Sequence, residues 1–293
     1  MPKYVYKFSE TNLNNTKNTY IELTEFQNKL LNCNKSNIVL DLSNIKFISP
    51  NALNIIVGTV EECRKKKKIV KYDLSEVNPE VLSFLISSNF IANEYSIKIT
   101  IKDEDICFKI WTYDEIFNDE ILDEYVSDVI EKTHMKMDYK VKDKLYTNLT
   151  EIIANAGYHS GNKNDGFYSC GRYLPNQEVM HFGFYDTGVG IVENVRQFLN
   201  TQESDEALMK WALQLGNTTI VNVDYERGLG LSFLKEFVPL NKGYLRIITN
   251  GIYYQLDEDG EQFEMLKYPI QGTSINLQIN ADVKHKYTMK RGK

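Results

Sequence analysis

The sequence predicts an α/β protein built from two units, and three observations carry that expectation. As far as about Tyr95, strand-like and helix-like runs alternate, the pattern of an open α/β layer. Beyond Tyr113 helical segments come first and apolar strand runs follow, which suggests a two-layer α/β sandwich. At 293 residues the chain is long for one small domain and suits two, each large enough to bury its own core. A boundary zone from Ile101 to Asp114 separates them, giving units 1–110 and 111–293, although no Pro/Gly-rich linker marks it.

In chain order, Tyr4 to Phe8 reads as a short strand and Thr19 to Leu31 as a helix. Asn37 to Leu42 is a buried strand whose apolar run stops at Ser43 and Asn44. A helix follows from about Asn51 to Lys66, with Leu53, Ile56, Val60 and Cys63 on one stripe. Ile69 to Tyr72 is a strand, and Pro79 suits the first position of a helix reaching Ser87. In the second unit Tyr113 to Thr133 is acidic and helical, with Ile116, Ile121, Tyr125 and Val129 at helical spacing. A second helix spans Lys142 to His159. Strand runs then appear at Val179 to Tyr185, Tyr244 to Thr249 and Ser274 to Ile279, with helices near Glu193 to Leu199, Ser204 to Leu215 and Leu229 to Phe237. No internal repeat or low-complexity segment appears.

Composition removes several function classes. Apolar residues make up 42% and charged residues 25% of the chain, close to the globular average. A net charge of −6 argues against a dedicated nucleic-acid binder, whose affinity comes from neutralising phosphates. The basic run Arg64 to Lys68 reads as a solvated helix end that complements the dipole. Cys33, Cys63, Cys107 and Cys170 lie far apart with no CxxC, so neither a zinc site nor a disulfide framework is indicated. No apolar run approaches the roughly eighteen residues of a membrane helix, and Met1 to Tyr4 opens no signal-peptide core. A cytoplasmic protein with no membrane partner is expected.

Four signals that could carry chemistry follow one another in the second unit. Glu151, Asn155 and His159 recur every four residues and share one helical face. There a carboxylate can deprotonate a nucleophile, an amide oxygen can ligate Mg²⁺ and an imidazole can donate to an anion. A solvated edge of an amphipathic helix has the same spacing. Asp186, Gly188, Gly190 and Ile191 follow an apolar run; an aspartate past a strand end can accept from an exocyclic amine, and the glycines let backbone approach a planar base. A tight turn would look alike. Gly228, Leu229, Gly230 and Leu231 open a helical stretch, a candidate phosphate cradle. Gly272 and Thr273 introduce the last strand, where the threonine hydroxyl could serve the base.

In order and spacing these signals resemble the N, G1 and G2 boxes and terminal Gly-Thr of the GHKL (Bergerat-fold) superfamily. That group includes gyrase-type topoisomerases, mismatch-repair ATPases, histidine kinases and anti-sigma-factor kinases. The resemblance covers about Lys142 to Asn280. It implies a Bergerat-type two-layer sandwich that binds ATP and Mg²⁺, with Asn155 on the metal and Asp186 on the adenine amine. It also implies Gly190 against the base, Gly228 and Gly230 near the phosphates, Thr273 near the adenine and Glu151 as general base. The segment between Ile191 and Gly228 would hold the family's ATP lid, with Gly216, Asn217, Thr218, Thr219 and Arg227 as its polar or flexible positions. His134 lies upstream, but no helical-hairpin phosphoacceptor pattern surrounds it.

The first unit resembles a STAS domain, the fold of anti-anti-sigma factors, through Val39 to Ser43, then Phe47 to Leu53 and an apolar helix. In that family a serine at the helix start accepts phosphate. Here Pro50 takes that place, with Ser49 one position earlier, which implies a degenerate STAS-like module that docks or binds. Three functions follow from the two resemblances: an ATP-dependent switch with slow hydrolysis, a serine/threonine kinase acting on a STAS-like or other partner, and a nucleotide-sensing module without turnover. A protein partner is expected in each, and a homodimer is open.

Overall fold

The computed structural model describes residues 3–96, 105–159, 166–219, 230–282, 284 and 286–288, and the chain is mixed α/β. Its first unit runs β1 (Lys3–Lys7), β2 (Asn12–Leu13), α1 (Lys17–Leu31), β3 (Asn37–Asp41), β4 (Phe47–Ile48), α2 (Pro50–Lys65), β5 (Ile69–Asp73), α3 (Pro79–Ser87) and α4 (Phe90–Tyr95). Strands β1, β3 and β5 form a parallel sheet in that order, and β2 pairs with β4. The right-handedness of βαβ crossovers puts α1 and α2 on the same face of this sheet. Ser49 caps α2 by accepting from the Ala52 N–H at 3.2 Å, and Pro50 fills the first helical position. In the basic run that ends it Lys65, Lys66 and Lys67 are exposed, while Arg64 pairs with Glu61 and Glu94 and Lys68 donates to the last carbonyls of α1, Leu30 and Leu31.

The second unit runs β6 (Asp105–Trp111), α5 (Tyr113–Ile116), α6 (Asp119–Glu131), β7 (Lys136–Met137), α7 (Tyr139–His159), β8 (Phe167–Leu174), β9 (Val179–Asp186), α8 (Ile191–Leu199), α9 (Asp205–Ala212), α10 (Gly230–Asn241), β10 (Tyr244–Asp257), β11 (Gly260–Asn280) and β12 (Lys286–Tyr287). Its main sheet is antiparallel in the order β10, β11, β9, β8, β6. Because β6 pairs with β8, the chain already belongs to this sheet at Asp105, ahead of the division drawn at residue 110. The acidic stretch after Tyr113 is two helices, each started by its own cap: a Thr112 capping box for α5, and Asn118, accepting from Ile121, for α6.

Helices α6 to α10 share a core with one face of the antiparallel sheet. The opposite face is covered too: α1 packs on β11, and α2 on β8 and β9. Both helices therefore lie between two sheets. Period-two alternation decides which side chains go where. Phe182 and Phe184 join the core under α7 to α10, while Tyr168 and Tyr185 join the core with α1 and α2. On β10 a register shift around Thr249 to Ile252 flips the parity, so Leu245 and Ile247 share a face with Ile252 and Tyr254. Among the described residues, no helix is long and apolar enough to cross a membrane.

Candidate functional site

One cleft opens between α7, α8, α9 and the helix-covered face of the antiparallel sheet, with a volume of about 960 Å³ that is partly open to solvent. Residues from distant parts of the chain meet in it. Glu151, Ile152 and Asn155 come from one face of α7, Asp186 from the end of β9, Gly190 and Ile191 from the start of α8, and Thr273 from β11. Asn217, Thr218 and Thr219, which follow α9, also line it. Phe167, Phe184 and Ile275 are among its apolar lining residues. Asp186 reaches the cleft because it shares strand parity with Phe182 and Phe184, whereas the Tyr185 ring is carried to the opposite face.

The loop after β9 is held by backbone-directed bonds. Gly188 lies outside the cleft lining and donates its N–H to Asp186 Oδ1 at 2.9 Å, closing a turn that fixes the carboxylate. Thr187 is buried and accepts from the Gly166 N–H at 2.9 Å. Gly190 has φ +88°, and a Cβ there would lie 2.5 Å from Asn250 Oδ1, so both its conformation and its room require glycine. Thr249 Oγ1 accepts from the Ile191 N–H at 2.8 Å and lies 3.2 Å from Thr273 Oγ1, while Asn250 donates to the Val189 carbonyl at 3.0 Å. The start of α8 is thus tied to β10 and β11.

The segment before Thr273 is an irregularity of β11 with its own requirement. Gly272 has φ +82°, and a Cβ would lie 1.9 Å from the Asp186 carbonyl oxygen. Only glycine lets the two backbones pass this closely, and that approach brings Thr273 opposite Asp186. Gln271, one residue earlier, has no strand partner in the register of β11 with β9 or β10. Its N–H is taken by a side chain of the first unit, Gln27 Oε1, at 2.6 Å.

Arg227, Gly228 and Leu229 lie outside the described residues; α10 begins at Gly230, and the side chains of Leu231 and His159 fall outside them as well. Ser49 is buried, 1% exposed, with its hydroxyl engaged as a helix cap. His134 adopts φ +56° and packs edge-on against Tyr173. Sequence reasoning missed Trp211, Asn194, Thr249 and Asn250; the pair Thr249 and Asn250 sits at the β10 register shift, which no pattern of alternation foretells. No three His, Cys, Asp or Glu side chains converge as a metal site among the described residues. No family model matches the chain, and no curated protein matches it.

Proposed function

We propose that the chain is an ATP-binding protein of the GHKL type, with ATP and Mg²⁺ in the cleft and hydrolysis slow enough for the nucleotide to act as a switch. The observation that carries this reading is the convergence of Glu151, Asn155, Asp186, Gly190 and Thr273 on one cleft. The lining suits the ligand chemically. Apolar rings and Ile275 offer flat surface to a base, and Asp186 offers a fixed acceptor for its amine. Asn155 offers a hard oxygen donor, and a cation held by so few protein groups would rely on the ligand's phosphates, as Mg²⁺ commonly does.

In this reading each residue has a separate task. Asp186 and Thr273 orient the base, with Gly188 and Thr249 fixing their positions. Asn155 holds the metal, which when bound would neutralise charge on the phosphates. Glu151, one helical turn from Asn155, orients a water and takes its proton, so catalysis is positioning plus charge stabilisation. The first unit is a STAS-like module whose helices α1 and α2 are engaged by the sheet behind the cleft; buried Ser49 is no phosphate acceptor in this arrangement. Incubation with γ-labelled ATP and Mg²⁺ tests the assignment. Free phosphate that disappears in Glu151→Ala while ATP still binds supports it, equal turnover in that variant sinks the base assignment, and label on a second protein turns the reading to a kinase.

A further inference from the structure

The face of the antiparallel sheet turned away from the cleft meets α1 and α2 in a seam rich in buried polar groups. Asn51 donates to Tyr20 Oη at 3.0 Å and accepts from Ser274 at 3.0 Å, and Asn54 donates to the Gly183 carbonyl at 2.8 Å. Most of these bonds anchor strand interiors. One set reaches the two segments that carry the cleft residues. Gln27 Oε1 accepts from the Gln271 N–H at 2.6 Å, Gln27 Nε2 donates to Tyr185 Oη at 2.7 Å, and Tyr185 Oη donates to the Gln271 carbonyl at 2.8 Å. The ring is closed. Gln27 and the Tyr185 hydroxyl together satisfy both backbone groups of Gln271, as a neighbouring strand would at a regular position.

A second pair of bonds continues from the same residue. The Gln271 side chain donates to the Thr187 carbonyl at 3.0 Å and to Glu62 Oε2 at 3.3 Å. Thr187 follows Asp186, Gln271 precedes Gly272 and Thr273, and Gln27 and Glu62 belong to α1 and α2. Gln27 is 2% exposed, so water cannot replace it without rearrangement, and a buried N–H left without an acceptor is costly.

We propose that Gln27 is a positioning residue for the cleft, holding the Asp186 and Thr273 segments in register so that the first unit sets the affinity of the site behind which it packs. The affinity arm of this proposal rests on the ATP reading; the positional arm does not. Linkage makes the effect reciprocal: a ligand that tightens the two segments tightens the seam by the same free energy.

Hydrogen exchange on the full chain tests it without any ligand. Gln27→Leu fills the seam but removes the polar contacts to Gln271 and Tyr185 together with a third, to Thr59 Oγ1 at 3.2 Å, and Tyr185→Phe keeps the ring while removing the hydroxyl. Leu40→Ala, in the distant sheet of the first unit, serves as a variant of lowered global stability. The expected result is exchange about tenfold faster at Gln271 and in 186–190 for Gln27→Leu, a smaller rise for Tyr185→Phe, and no selective rise for Leu40→Ala. The two seam variants combined should lose less than their separate effects, since they break one ring. ATP affinity should weaken by about tenfold in Gln27→Leu and be retained in Leu40→Ala. Exchange in those segments that follows global stability alike in all three variants overturns the positioning role. A wild-type chain that binds no ATP overturns the nucleotide reading, with the exchange contrast still deciding for or against Gln27.

Discussion

Replacing Gly272 by alanine perturbs the site at one backbone position and has a cost that can be worked out from the surroundings. Its φ of +82° forces a side-chain-bearing residue into a region that costs about 1–2 kcal/mol. A Cβ would also lie 1.9 Å from the Asp186 carbonyl oxygen and 2.7 Å from its carbon. Both are backbone atoms, so no side chain can swing aside and β9 must part from β11, adding about 1–3 kcal/mol of overpacking. Gly260 is the matched control: φ is +108° with no atom within 4 Å of its Cβ position, leaving only the conformational term. Urea unfolding of both variants separates the terms, because only Gly272→Ala carries the second. The expected result is a loss of at least about 2 kcal/mol for Gly272→Ala, against about 1 kcal/mol for Gly260→Ala, with ligand affinity falling only in the former. Equal losses for the two variants, or full affinity in Gly272→Ala, would refute the argument that this close approach builds the site.

Three further outcomes follow from the same geometry. Of the two tryptophans, Trp111 is buried and donates to Ser169, whereas Trp211 lines the cleft, so nucleotide should change tryptophan fluorescence in the wild type and leave Trp211→Phe unchanged. Burial, reinforced by Arg246 and Arg172, pushes the His181 imidazole down from 6.5 to about 4; the unfolded chain then takes up a proton before the folded one does. Stability is therefore complete above pH 6.5 and declines as pH falls toward 4, by up to about 3 kcal/mol, and unfolding of His181→Gln measured across that window should show a shallower slope. Ser49→Ala should cost about 1 kcal/mol through loss of the α2 cap, while leaving any ATP turnover and any phosphate incorporation as in the wild type.

How far the sequence reveals this arrangement depends on the kind of interaction involved. Helix signals are local: Pro79 starts α3 at the expected position, and the apolar stripe of α2 lies within the core. Asp186, Gly190 and Thr273 were legible as candidates because strand ends and glycine turns leave short patterns. Strands β6 and β8 were not, since their neighbours are supplied by chain far away and their residues, such as Ser169, Gly171 and Arg172, break the alternation. The hairpin of β10 and β11 exceeded the two short runs expected because its outer half carries charged residues and its inner half changes parity at the register shift. The seam was invisible for a different reason. Asn51, Asn54 and Gly58 on α2 look like a solvated edge, yet all are buried, and only the placement of a second sheet makes them interior.

That placement of α1 and α2 has a consequence for biosynthesis. Gln27 leaves the ribosome 244 residues ahead of its partner Gln271. Throughout that interval the seam faces of α1 and α2 lack the sheet that covers them, and long-range pairings of this kind close slowly. Nascent chains with exposed apolar and polar core surface invite misassociation. The cleft is accordingly among the last parts to be completed, and synthesis of the protein should lean on chaperones more heavily than that of a chain whose halves mature independently.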